Sequence, residues 1–173
     1  MTAVPISDHL ADWARASGYT VTPDSVTGAA LFASKPGGEV RYYIRVAPDG
    51  GLTLTSAQRA SAEQFELHAT SMRSMERHLM GLFGYRYRSK NQLQRLRPLK
   101  GLDELAPGYA IAPGDQEGYW ELFYPSGELA ARALGEVGSI STFVRLSHLL
   151  ESSLSDIRRS YESPDGSPLF GVQ

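Results

Sequence analysis

The chain has 173 residues, 42% hydrophobic and 21% charged, with a formal net charge of −2. That mix excludes a disordered, collagenous or membrane-spanning protein, and its near-balance of charge creates no field to recruit nucleic acid or anionic lipid. The absence of cysteine removes disulfides, thiolate metal sites and cysteine nucleophiles. No apolar run approaches the ~20 residues that span a bilayer, so no membrane partner is expected. Met1 to Asp12 carries acids where a secretion signal is basic and then apolar, which points to a cytoplasmic protein. A chain of this length buries ~70% of the surface it exposes when unfolded, so one domain over residues 1–173 is expected.

Ser7 is placed to cap a short amphipathic helix over about residues 7–17, with Leu10, Trp13 and Ala14 on its apolar face and Gly18 closing it. Ala29 to Ser34 reads as a strand and Lys35-Pro36-Gly37-Gly38 as a turn. Val40, Tyr42, Ile44 and Val46 alternate with Arg41, Tyr43 and Arg45, the two-residue period of a half-buried strand. Pro48-Asp49-Gly50-Gly51 supplies turn chemistry, and Leu52 and Leu54 alternate with Thr53 and Thr55 on the return, which makes an antiparallel hairpin. Ser61 and Gln64 have capping-box spacing ahead of Phe65, Ala69, Met72, Met75, Leu79 and Leu82. A long helix is therefore expected from Ser61, stopping at Gly84.

From Tyr85 to Lys100 there are six basic residues and no acid, whereas from Gly101 to Glu136 seven acids face the single base Arg132. The change of sign marks a weak internal boundary near residues 85–100. The second half then restates the first. Trp120, Leu122 and Tyr124 alternate, Pro125-Ser126-Gly127 turns the chain, Leu129 to Leu134 returns it, and Ser139 opens a helix with Phe143, Val144 and Leu150 on one face. Turn proline to helix cap is 13 residues from Pro48 to Ser61 and 14 from Pro125 to Ser139, the basis for a two-fold hairpin-plus-helix pseudo-repeat. A last short helix carries Leu154, Ile157 and Tyr161 inward, and Leu169-Phe170 follow a Pro/Gly-rich break. The expected fold class is α+β, an antiparallel sheet with amphipathic helices packed on it.

No catalytic pattern accompanies these elements. There is no phosphate-cradling glycine loop leading into a lysine and a helix, and no Gly-x-Ser-x-Gly elbow. His9, His68, His78 and His148 lack metal-chelating spacing and read as solvated surface residues. Glu63 and Glu66 are explained by a helix start, and Glu117 and Glu121 would serve as acid and base only if burial drove their pKa values apart. Neither an enzyme, nor a cofactor, nor a metal is expected. Two stretches remain as binding surfaces. Tyr85-Arg86-Tyr87-Arg88 interleaves rings with guanidinium groups as single-strand nucleic-acid binders do. The tract is short and the net charge negative, so a solvated linker, or arginines paired with the acidic second half, is the stronger reading and a nucleic-acid partner is not expected. Arg41, Tyr43 and Arg45 form a second stripe, on the outer sheet face, of residue types enriched at interface hot spots.

Several segments together resemble a known family. They are Asp8-His9-Leu10-Ala11-Asp12-Trp13 with Gly18, and Gly37-Gly38-Glu39-Val40-Arg41-Tyr42-Tyr43-Ile44. Ser71-Met72, Glu76-Arg77-His78-Leu79, Phe83-Gly84 and Arg88-Ser89 continue the match. Leu146-Ser147-His148-Leu149-Leu150 and Ser163-Pro164-Asp165-Gly166-Ser167-Pro168-Leu169-Phe170 complete it, while residues 101–118 match least. The chain is similar to the antitoxin of the tuberculosis necrotizing toxin and its relatives, an immunity-protein family of bacterial polymorphic toxin systems. The resemblance implies a binding protein that neutralises a cognate toxin domain, an NAD-glycohydrolase in the best-known member, by occluding its cleft. A secretion chaperone or adaptor for an effector is the alternative. Exposure and chemistry nominate Asp8, Asp12, Lys35, Arg41, Tyr43 and Arg45 as partner-binding residues.

Overall fold

The structure is a computed structural model describing residues 3–173; Met1 and Thr2, the start of the segment inspected for a secretion signal, lie outside it. Ser7 has extended backbone and its hydroxyl accepts from the Leu10 amide at 3.1 Å, so α1 (Asp8–Ala16) begins one residue after the cap. Four strands then run up and down: β1 (Tyr19–Thr22), β2 (Ala30–Ser34), β3 (Val40–Val46) and β4 (Leu52–Gln58). In the β3–β4 turn the Asp49 carboxylate accepts from the Gly51 amide at 2.9 Å, and Gly50 takes a φ of 84° that an L side chain resists.

The helix expected from Ser61 does not start there. Gln64–Ala69 forms β5, which pairs with β4 through Leu54–Leu67 and Thr55–Phe65 across a bulge. Leu67 and Ala69 are fully buried, as the two-residue period of a strand requires. The helix α2 (Met72–Lys90) is capped instead by Ser71, whose hydroxyl accepts from the Ser74 amide at 3.2 Å. Nor does Gly84 stop it. A Cβ there would lie 2.3 Å from Cγ of Tyr161, so the missing side chain is a notch that seats that ring.

A second run of three strands follows, β6 (Ala110–Pro113), β7 (Tyr119–Phe123) and β8 (Leu129–Leu134), then α3 (Glu136–Leu150) and α4 (Leu154–Glu162). Helix α3 opens at Glu136 with Gly135 as its cap, one turn before the expected Ser139. All eight strands belong to one antiparallel sheet, ordered β1-β2-β3-β4-β5-β8-β7-β6. The two runs join where β5 meets β8, through His68–Arg132 and Ala69–Ala131. Pro48 lies in the first turn of the run β3-β4-β5, and Pro125 in the second turn of β6-β7-β8. Their similar distances to Ser61 and Ser139 therefore do not relate equivalent positions.

The helices cover one face of the sheet. Trp13 on α1 donates from its indole Nε1 to the Met80 carbonyl of α2 at 2.9 Å. Phe83 of α2 packs among Tyr19, Phe32 and Tyr42 of β1, β2 and β3. Helix α3 lies on β7 and β8, and α4 lies on α2. Leu10, Ile44, Leu54, Phe83 and Phe143 are fully buried between the layers, each worth ~1.5–3 kcal/mol over an exposed position. Arg88, 2% exposed, fastens the chain end: its guanidinium donates to the carbonyls of Gln94, Tyr161, Ser163 and Pro164. Among the described residues no helix is long and apolar enough to cross a membrane, and none lies on the other face of the sheet.

Candidate partner-binding face

Alternation along β3 settles which side chains reach that uncovered face. Tyr42 and Ile44 point to the helices, so Arg41, Tyr43 and Arg45 point away from them. Arg45 makes a two-pronged contact with Glu63, at 2.7 and 3.0 Å, and sits 5.3 Å over the Tyr43 ring. Those hydrogen bonds, assisted by the Thr55 hydroxyl, hold the Glu63 carboxyl below its ordinary pKa. Arg41 donates to the Arg59 carbonyl, and its Nε has no hydrogen-bond partner. The two arginines thus tie the loop of residues 59–63 to β3, which pre-organises that rim of the face.

The rest of the face is built across the β5–β8 seam. His68 Nε2 lies 3.1 Å from Asp49, and Arg132 Nε donates to Glu121 at 2.6 Å. Phe65 packs on Tyr119 with ring centroids 5.7 Å apart, and beside Tyr119 stands Leu134, 55% exposed. None of these seam residues was named from the sequence as part of a binding surface. Alternation through Tyr119–Phe123 puts Tyr119 and Glu121 on one face, but only the pairing of β5 with β8 makes it the same sheet face as that of Arg45.

Of the six nominated residues, the structure gathers Arg41, Tyr43 and Arg45 in one stripe. Lys35 is exposed at the β2–β3 turn, where its carbonyl accepts from Arg86 at 2.9 Å. Asp8 and Asp12 are exposed on α1, in the helix layer, and Asp12 pairs with Arg15 at 3.0 Å. The aspartates and the stripe therefore belong to opposite layers. The Tyr85–Arg88 tract changes meaning altogether. It is the last part of α2, with Tyr87 packed 4.8 Å from Trp13, Arg86 lying 5.1 Å over Tyr19, and Arg88 buried. Tyr85 packs on Tyr161 with ring centroids 5.6 Å apart, so all four side chains are engaged within the molecule and do not present a stacking platform.

One cleft of about 540 Å³ opens at the end of β3, β4 and β5, lined by Glu39, Ser56, Gln58, Arg59, Gln64 and Glu66 among others. Within it the Ser56 hydroxyl donates to the Glu66 carboxylate. Among the described residues no three of His, Asp and Glu gather as metal ligands. His78 departs from its expected surface position: it is buried, and burial, then the Arg145 charge, push its pKa down to about 3. Such a histidine stays neutral inside the helix layer.

A layered fold with one uncovered, charge-paired and partly pre-organised sheet face has the make-up of a protein that binds another. The family model for immunity protein 61 matches residues 13–169, and the chain belongs to that family. It is 36% identical to the immunity factor for TNT of Mycobacterium tuberculosis over 172 residues, covering 96% of this chain and 93% of that one. A homologue of that factor in Mycobacterium bovis matches to the same extent. The solved structure of Rv3902c from M. tuberculosis shares the fold with a TM-score of 0.89 and 32% identity, over 99% of this chain and 98% of its own.

Proposed function

We propose that the chain neutralises a toxin domain of the TNT kind, an NAD-glycohydrolase. It does so in the cytoplasm, by sitting over the active-site cleft and keeping NAD out, with no chemistry of its own. The observation that carries this is likeness along nearly the whole chain to proteins named as immunity factors for TNT. The single uncovered sheet face supports it, because occlusion needs a rigid surface rather than a reactive group. Of the nominated contacts, the stripe Arg41, Tyr43 and Arg45 suits that task best.

The test is a titration of purified TNT domain with this chain while NAD hydrolysis is followed. Hydrolysis is expected to stop at equimolar addition. A tight complex that still hydrolyses NAD would make the chain a chaperone or adaptor instead. Consumption of NAD by the chain alone would end the occlusion reading.

A further inference from the structure

The geometry points to a small-anion site in the seam between α2, α3 and α4, where the guanidinium of Arg145 and the hydroxyl of Tyr161 hold one monovalent anion of chloride size. It is a site of the helix layer, on the opposite side of the sheet from Arg41, Tyr43 and Arg45, and independent of what the chain inhibits.

Packing defines the place. Gly81 of α2 has no side chain, and a Cβ built on it would stand 3.3 Å from the Tyr161 hydroxyl of α4 and 3.7 Å from Nε of Arg145 on α3. Two polar groups from two other helices thus converge on one point above α2. Tyr85, also on α2, lies under the guanidinium with its centroid 5.3 Å away and packs edge-on against Tyr161. Leu149 of α3 walls the point on its apolar side, and His78 borders the seam one turn back from Gly81.

Two unmet demands make this place a site. Tyr161 is fully buried, and its hydroxyl has no hydrogen-bond partner; the Tyr85 hydroxyl comes near without bonding geometry. Buried polar groups are seldom left in that condition, and those that are commonly mark a bound ion or water. Arg145 is half-buried, and among the described residues no carboxylate lies within bridging distance of it. The ring of Tyr85 attracts that cation but cannot neutralise it. Charge then selects the occupant. Arg145 and Arg88, both positive, act on the Tyr161 hydroxyl, and Arg145 acts on His78. A water would satisfy the hydroxyl and leave Arg145 uncompensated, whereas an anion answers both. Size follows from burial, since only a small species passes between three packed helices to reach a hydroxyl with no exposure.

The test is the melting temperature of the full chain at fixed pH and ionic strength, with chloride replacing gluconate. A ligand that binds only the folded state raises stability with the logarithm of its concentration. Above the dissociation constant the parent is expected to gain about 3–5 °C for each tenfold rise in chloride, and Arg145→Gln and Tyr161→Phe to gain none. Tyr161→Phe removes only the hydroxyl, so it is expected to melt at or above the parent in gluconate and below it in chloride. That crossing separates a binding role from a structural one. Arg159→Ala, exposed on α4, is expected to keep the parental response. A crystal soaked in bromide is expected to show an anomalous peak between Arg145 and Tyr161. A parent chain indifferent to chloride, an equal response in the parent and both variants, or a water at that position in the bromide crystal would overturn the site.

Discussion

A single methyl group is enough to probe how tightly Tyr161 is seated. At Gly84 a Cβ would meet three ring atoms of that tyrosine at 2.3–2.6 Å, and the ring is fully buried with nowhere to retreat. Alanine is the better helix former by ~1 kcal/mol, so at an exposed site Gly84→Ala would stabilise α2. Here overlap wins, and a net loss of ~3 kcal/mol is expected, read as a lower urea midpoint. An unchanged midpoint would mean that α4 yields. This also explains why the residue misled as a sequence feature. Glycine commonly ends helices, and nothing local distinguishes that use from a notch for a ring 77 positions later. Arg88 hid its role in the same way, since the carbonyls it holds at Tyr161, Ser163 and Pro164 arrive only with the chain end. Arg88-Ser89 and Ser163-Pro164, two of the segments that resemble the family, thus prove to touch one another, so that part of the likeness reflects packing.

Among the elements, the helix layer contains a built-in acid sensitivity. His78 of α2 is buried with Nδ1 unbonded, and the one charge that acts on it is Arg145 of α3. The unfolded chain takes up a proton at His78 near pH ~6.5, while the folded chain resists it until about pH 3. The folded pKa is depressed, so stability is complete above the upper value and falls as pH drops between the two, by up to ~1.4 kcal/mol per pH unit. Melting temperatures of the parent and His78→Gln between pH 7 and 5 check this. The parent curve is expected to slope and the variant curve to flatten; parallel curves would refute it. Element boundaries were legible where one period ruled without competition. The β3–β4 hairpin was, because alternation and a Pro-Asp-Gly-Gly turn agree. Strand β5 was not, because Phe65, Ala69 and Met72 imitate helical spacing across a strand and the helix after it. The short edge strands β1 and β6, four residues each, carry too little pattern to stand out.

For the whole molecule, the change of charge sign near residues 85–100 is a chemical boundary that the sheet ignores. β5 and β8 are hydrogen-bonded neighbours, and α4 packs on α2 across the same divide. We propose a single domain over residues 1–173. Calorimetric and van't Hoff enthalpies are then expected to agree, and fragments 1–100 and 101–173 to remain unfolded when made separately. A fragment with a cooperative transition of its own would contradict that. The binding face was half legible for a related reason. Arg41, Tyr43 and Arg45 follow from the period of one strand, but Phe65, Tyr119 and Leu134 join them only through a seam between distant segments.

The one-sided layering has a practical corollary for anyone who watches this protein in solution. Its two tryptophans, Trp13 and Trp120, both pack against the core beneath the helices. Intrinsic fluorescence will therefore brighten or dim as the core melts and stay dark to events on the far side. A reporter dye or a tryptophan introduced at Tyr43 would be needed to see a guest arrive.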